Sequence, residues 1–173
     1  MFALQHTLER QVSVANDFKD RDVIGFVMDG ELSVATLLRI RGGFLLGRRH
    51  FVFEGAVGSA EEQMGAFLRQ YYSSAQIVPK EVVVSQLPAD KVLLEEFLHE
   101  KGGAKATIAA PQRGDKQKLV EMALQNAVQA LEEHRRHADG QQDLLRRLEK
   151  RLHLKRLPLR IECFDNSNLG GTE

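Results

Sequence analysis

The amino-acid sequence predicts an α/β domain in which a five-stranded mixed sheet is flanked by helices. A stretch dense in Val, Ile, Phe and Leu extends from residue 22 to 55 and is interrupted by two glycine turns. After it, apolar residues recur at three- and four-residue spacing in three segments, which is typical of amphipathic helices. Short apolar runs separate these segments, and such alternation of strand and helix favours parallel strands.

The first stretch predicts three consecutive antiparallel strands, Val23 to Met28, Leu32 to Arg41 and Phe44 to Phe53. The turns "MDGE" and "RGG" join them, because glycine tolerates the positive φ of tight hairpins. Four basic residues fall near the second hairpin: Arg39, Arg41, Arg48 and Arg49. Contact with a phosphate backbone is one interpretation of this basic hairpin. The other is a solvated edge strand whose charges prevent aggregation.

Three helices are predicted to begin after Ser59, after Asp90 and from Asp115, since such residues cap helix N-termini. Their expected buried residues are Met64, Phe67, Leu68 and Tyr71, then Leu93, Leu94, Phe97 and Leu98, then Val120, Leu124, Ala127, Val128 and Leu131. The runs "PKEVVVSQ" and "AKATIAAP" are predicted strands between the helices. The resulting order, three strands followed by helix, strand, helix, strand and helix, is the ribonuclease H-like topology.

The domain organisation follows from this order. We expect a lead-in segment at 1–20, a ribonuclease H-like domain at 21–138, a linker helix at 139–158 and a truncated first strand of another domain at 159–173. Asp139 and Gly140 weaken the helical pattern where the linker is expected to start. The linker is predicted from a second apolar stripe that ends before Pro158: Leu144, Leu145, Leu148 and Leu152.

Catalytic ribonuclease H-like domains hold divalent cations with carboxylates that converge at one end of the central strands. Here the predicted first strand has no acid in its middle, and the fourth ends in "SQ". Asp22 is expected to precede the first strand, Asp29 to lie in the following turn, and Glu61 and Glu62 to start a helix. The sequence therefore predicts a domain that lacks the catalytic acids. The alternative is an atypical weak nuclease that uses Asp22, Asp29 and either Glu61 or Glu62.

A second anion-binding candidate is the segment "PQRGDK", in which Arg113 and Lys116 flank a predicted helix N-terminus. Backbone N–H groups at such a terminus favour anions. The competing interpretation is a capping loop in which Asp115 itself provides the negative charge.

Composition limits the remaining possibilities. The 24 basic and 24 acidic residues give a formal net charge of zero, so any binding of nucleic acid requires a local patch. The single cysteine, Cys163, excludes an internal disulfide and fits a reducing cytoplasm. No apolar run reaches the roughly 18 residues of a membrane helix, so we expect no membrane association.

Five stretches resemble the UvrC family, the nuclease subunit of bacterial nucleotide excision repair. They are "DRDVIGF" (20–26), "RGGFLLGRR" (41–49), "PKEVVV" (79–84), "PQRGDKQKLVEMA" (111–123) and "LPLRIECFDNSNLGGTE" (157–173). The resemblance implies a central piece of an enzyme that incises DNA on both sides of a lesion. It would lie between a hairpin that binds UvrB and a catalytic ribonuclease H-like domain.

The resemblance also implies where the catalytic site of the full-length protein begins. Asp165 matches the first metal-binding carboxylate of the catalytic domain, whose partner residues would lie beyond Glu173. Asn166 and Asn168 depart from the commoner family wording "CFDISH". A divalent cation, Mg²⁺ or Mn²⁺, is implied for the full-length protein and none for this piece. The implied partners are UvrB, damaged DNA and other domains of the same protein.

The expected role of this segment is a non-catalytic scaffold or interaction domain. The alternative of direct DNA binding would use the basic hairpin 39–49 and the turn 112–118. The candidate residues are Arg41, Arg48, Arg49, Arg113 and Lys116.

Overall fold

Five strands and three helices follow one another in the predicted order in a computed structural model that describes residues 17–55, 57–103 and 105–163. The strands are β1 (Arg21–Asp29), β2 (Leu32–Arg41), β3 (Phe44–Glu54), β4 (Glu81–Val84) and β5 (Thr107–Ala109). The helices are α1 (Ala60–Ser74), α2 (Lys91–Gly102) and α3 (Asp115–Arg151). The chain divides into two compact units whose boundary lies between Glu132 and Glu133.

The sheet has the strand order β3-β2-β1-β4-β5. β1 pairs with β2, and β2 with β3, in antiparallel fashion, whereas β1, β4 and β5 are parallel. Positive φ angles at Gly30, Gly42 and Gly43 form the two hairpin turns that the sequence predicts. The five-stranded mixed sheet of ribonuclease H-like topology is therefore confirmed.

The two faces of the sheet carry separate apolar clusters because side chains alternate along each strand. Ile24 and Phe26 pack with residues of α1 and α2, among them Met64 and Leu98. Val23 faces the other way, where a second cluster includes the first turns of α3. Helices therefore cover both faces of the central strands.

Gly25 determines how closely α3 approaches the sheet. A Cβ atom built at this position would lie 2.4 Å from the backbone carbon of Ala123 and 2.4 Å from the backbone nitrogen of Leu124. Backbone atoms cannot yield to such an overlap, so only glycine permits this contact between β1 and α3.

Two predicted helix faces are wrong at one residue each. Leu93 and Val128 were expected inside, but they are 64% and 44% exposed. The buried residues of α2 are Leu94 and Leu98, which define the side of the helix that faces the core. Leu93 precedes Leu94 by one position and therefore lies about 100° around the helix from it. Val128 likewise follows the fully buried Ala127 by one position.

The predicted helix starts are confirmed with one difference in chemistry. Ser59 and Glu62 form a reciprocal capping box at the start of α1. Asp90 occupies the N-cap of α2 without a side-chain capping bond. Its carboxylate instead pairs with Arg69.

The second unit contains the C-terminal part of α3. The helix continues through Asp139 and Gly140 to Arg151, so the predicted weakening there does not interrupt it. Described residues 154–163 form neither helix nor strand. The domain boundaries 21–138 and 139–158 remain a prediction. Within the described part of the chain, no helix has the length and apolar character needed to cross a membrane.

Candidate nucleic-acid interface

Asp22, near the start of the central strand β1, is buried and bonded on both carboxylate oxygens. Only 1% of the surface of Asp22 is exposed to solvent. Arg41 donates from Nη1 to Oδ1 at 2.8 Å, and Tyr72 donates its hydroxyl proton to Oδ2 at 2.8 Å. The expectation that Asp22 precedes the first strand is wrong, because β1 already begins at Arg21.

Burial raises the pKa of Tyr72 well above its usual value of 10, and the neighbouring Asp22 carboxylate raises it further. The hydroxyl therefore stays protonated and remains a hydrogen-bond donor to the carboxylate. The group Asp22, Arg41 and Tyr72 thus joins β1, β2 and α1 by charge-assisted bonds.

A second, partly buried carboxylate, that of Glu81 at the start of β4, is also held by cations. Lys116 donates to its Oε1. Arg21 is only 1% exposed, and its Nε lies 3.0 Å from Oε2 of Glu81. The two atoms form an ion pair without the geometry of a hydrogen bond. Arg21 also donates to Asp17. Glu81 therefore neutralises neighbouring cations within the fold.

The described carboxylates do not fit a divalent ion. Asp22 and Asp29 lie at opposite ends of β1, about 23 Å apart at the usual rise of a strand. Glu62 accepts from the backbone N–H of Ser59 in the capping box. Across residues 17–55, 57–103 and 105–163, no group of three potential ligands is close enough to hold a metal ion. The predicted site residue Asp165 lies outside the described residues.

An open cleft of about 830 Å³ lies beside the second hairpin, between β2, β3 and the C-terminal half of α1. Its aromatic and basic lining residues are Phe51, Phe53, Phe67, Tyr71, Arg39, Arg41 and Arg49. Gln70, Ser74 and residues 75–77 complete the rim on the helix side.

The aromatic wall of this cleft is a contiguous group of rings. The ring centroid of Phe51 lies 5.1 Å from that of Phe67 and 5.8 Å from that of Tyr71. Phe67 and Tyr71 stack at 26° with centroids 5.9 Å apart. Partial burial, followed by the charge of Asp22, raises the pKa of Tyr71 above its usual value. Its hydroxyl is therefore neutral at ordinary pH.

The basic groups of the cleft differ in what they contact. Arg41 is bonded to Asp22, and the cleft's own acid, Asp20, accepts from the backbone N–H of Gly42 at 2.8 Å. The guanidinium of Arg49 lies over the Phe51 ring, 5.0 Å from its centroid. Neither Arg39 nor Arg49 has a carboxylate within ion-pair distance among the described residues.

Strand register explains which predicted basic residues meet in the cleft. Arg49 pairs with Leu37, so its side chain shares the face of Arg39 and Arg41. Arg48 pairs with Leu38 on the other face and donates to Asn126 of α3 at 2.6 Å. DNA binding by Arg48 remains a prediction.

At the predicted anion site before α3, two of the basic side chains are paired with carboxylates of the same chain. Arg113 is exposed in the loop, and Lys116 is paired with Glu81. Lys118 pairs with Asp115 at 3.1 Å. Binding of DNA by Arg113 and Lys116 also remains a prediction.

The aromatic half of the cleft is absent from the residues that the sequence predicts for a site. Tyr71 was assigned to the core, and Phe51 to a strand without a role. The spacing of residues along the predicted strand could have indicated it. Phe51 and Arg49 are two positions apart and therefore share a face of β3.

Comparisons with known proteins agree with this fold. The sequence model described as "UvrC Ribonuclease H-like domain" matches residues 20–134. The chain is 44% identical over 173 residues to the UvrABC system protein C of Desulfatibacillum aliphaticivorans, covering 100% of this chain and 29% of that protein. It is 39% identical to the protein of the same name from Desulforapulum autotrophicum, covering 100% of this chain and 28% of that protein.

The chain therefore spans less than a third of the length of these curated relatives. Among solved structures, ribonuclease H2 from Pyrococcus horikoshii matches 65% of this chain and 76% of its own, with a TM-score of 0.39 and 12% identity. This similarity is too low to support a fold assignment. The assignment rests on the strand order of the sheet and on the match to the family model. The chain belongs to the UvrC family, and residues 20–134 are its ribonuclease H-like domain.

Proposed function

We propose that this domain is a non-catalytic structural part of the nuclease subunit of nucleotide excision repair. The observation that carries the proposal is the bonding of Asp22, whose two oxygens are held by Arg41 and Tyr72 inside the fold. A carboxylate engaged in this way has an opposite charge beside it already, so a divalent ion would have to displace the guanidinium.

The whole protein would incise DNA with a divalent cation, Mg²⁺ or Mn²⁺, for which Asp165 supplies the first carboxylate. Its partners would be UvrA, UvrB and damaged DNA in the cytoplasm, as the name of the relatives, UvrABC system protein C, suggests. Within that protein the present domain would support the neighbouring domains and set their spacing.

A chimera tests this assignment. The matching segment of the Desulfatibacillum relative is replaced by this chain, and incision of a lesion-containing duplex is measured with the partner proteins and Mg²⁺. We expect incision to be retained within a few-fold. Asp22→Asn should leave the incision rate within about twofold, whereas Asp165→Asn should lower it at least about a hundredfold, since only Asp165 is assigned to metal.

Two results would contradict the proposal. One is loss of incision in the Asp22→Asn chimera with its thermal unfolding midpoint unchanged, which would make Asp22 catalytic. The other is nicking of damaged duplex by the isolated chain with Mg²⁺ or Mn²⁺ that Asp22→Asn abolishes. The separation of Asp22 from Asp29 along β1 weighs against that atypical nuclease.

A further inference from the structure

We propose that the cleft beside the second hairpin binds single-stranded nucleic acid, with Arg39 and Arg49 on the phosphates and the Phe51–Tyr71 wall beside an unpaired base. The inference rests on the proposed function for its biological setting. Its physical basis is the juxtaposition of unpaired guanidinium groups and aromatic rings in one concave surface.

The charges of the cleft favour an anion. The chain as a whole is neutral, yet three arginines and one carboxylate line this surface. Arg41 is compensated by Asp22, and the carboxylate of Asp20 already accepts a backbone bond from Gly42. The charge of Arg39 and Arg49 is therefore the part left for a ligand.

The geometry of Arg49 suits a phosphate in particular. Its guanidinium carbon lies 5.0 Å from the centroid of the Phe51 ring, and no described carboxylate is within ion-pair distance, so its N–H groups have no acidic partner among the described residues. Arg39, on the neighbouring strand and the same face, provides a second guanidinium to the same cleft. Two cations on adjacent strands could each contact one phosphate of a nucleic-acid backbone.

The aromatic wall favours an unpaired base over a duplex. The bases of a duplex are stacked on one another, so their faces are unavailable to a concave surface, whereas a single strand can insert one. The cleft volume of about 830 Å³ lies within the range of about 300–1,000 Å³ that small-ligand sites occupy. An acidic peptide would use the arginines and leave the rings without a partner.

Fluorescence anisotropy with a labelled oligothymidylate of about 15 nucleotides tests the proposal. The double variant Arg39→Gln/Arg49→Gln should bind at least about tenfold more weakly, because it loses two charge-assisted contacts. The slope of log affinity against log salt should fall by about 1.4 for two lost phosphate contacts on a single strand.

The matched control is Arg146→Gln/Arg147→Gln, which removes two exposed arginines from the C-terminal part of α3. It should bind like the unsubstituted chain. The proposal is overturned if the control loses as much affinity as the cleft variant, or if the cleft variant binds normally. Tighter binding of a duplex of the same length, or equal binding of poly-glutamate, would also overturn it.

Intrinsic fluorescence gives a readout at the cleft itself. The chain has two tyrosines, Tyr71 and Tyr72, and no tryptophan, so Tyr72→Phe makes Tyr71 the single reporter. Saturating oligothymidylate should quench its emission after correction for absorption by the oligonucleotide. Full binding by anisotropy without quenching would show that the strand binds elsewhere.

These measurements contain no incision step, so their failure differs from failure of the proposed function. Loss of oligonucleotide binding with incision retained in the chimera overturns the cleft alone. Binding that depends on Arg39 and Arg49, together with an inactive chimera that remains folded, overturns the scaffold function and leaves the cleft supported.

Discussion

Arg41 and Arg39 lie two positions apart on β2 and share a face of the sheet, yet their surroundings differ. Arg41 bonds the buried carboxylate of Asp22, whose other oxygen accepts from Tyr72. Arg39 is exposed, and although Asp22 is its cross-strand partner on β1, no described carboxylate is within ion-pair distance of its guanidinium. The comparison separates charge that stabilises the fold from charge that remains available to a ligand, within one strand of one hairpin.

The largest expected effect comes from removing the buried cation. Arg41→Gln leaves the Asp22 carboxylate at 1% exposure with the Tyr72 hydroxyl as a remaining donor. We expect the free energy of unfolding to fall by about 3–5 kcal/mol, as urea denaturation would measure. Arg39→Gln is the matched control and should change it by less than about 0.5 kcal/mol. Equal effects at the two positions would remove the distinction.

Tyr72→Phe should have an intermediate effect. It deletes the bond to Asp22 Oδ2 and leaves a buried acceptor unsatisfied, which costs about 1–3 kcal/mol. A loss below about 0.5 kcal/mol at neutral pH would indicate that the hydroxyl contributes little to this group.

The same tyrosine predicts a pH dependence. Its pKa is raised in the folded state, so the stability that it contributes is fully present below pH 10, the usual value of the unfolded chain. That stability declines as pH rises towards the folded-state pKa, because the folded state then binds more protons than the unfolded state. Denaturation curves recorded upward from pH 9 should show a decline that is reduced in Tyr72→Phe. An identical decline in both proteins would contradict the assignment.

The smallest effect is expected in the cleft. The loss of two exposed charges in Arg39→Gln/Arg49→Gln should change the free energy of unfolding by less than about 0.5 kcal/mol. The lost cation–π contact between Arg49 and Phe51 should add about 0.5–1 kcal/mol to that change. Thermal unfolding of this variant beside Arg146→Gln/Arg147→Gln checks it. A loss comparable with that of Arg41→Gln would show that the cleft arginines are structural.

The sequence was sufficient for the strands and their order because the signals were local. Two glycine turns fix the hairpins, and Ser59 with Glu62 marks the start of α1. It was insufficient for Asp22, since its partner Tyr72 is 50 positions away and only the folded sheet brings them together. The sequence predicts the first strand from Val23, although β1 begins at Arg21.

For the site, the hairpin arginines were recognised as a group, but sequence alone could not divide them. The division depends on register, which places Arg48 against Asn126 and Arg49 in the cleft. It depends also on distant partners, such as Asp22 for Arg41. Leu93 and Val128 were misplaced because a stripe of apolar residues on a helix can be wider than the line that meets the sheet.

Asp22→Asn tests the central claim most directly, through the free energy of unfolding with and without Mn²⁺. A structural carboxylate paired with Arg41 stabilises the fold, so the variant should lose about 1–3 kcal/mol in both conditions, with Mn²⁺ giving the two proteins the same increment. A metal ligand behaves differently: the variant would be as stable as the parent without metal, and only the parent would gain stability from Mn²⁺. That second result would contradict a domain whose acids maintain its structure.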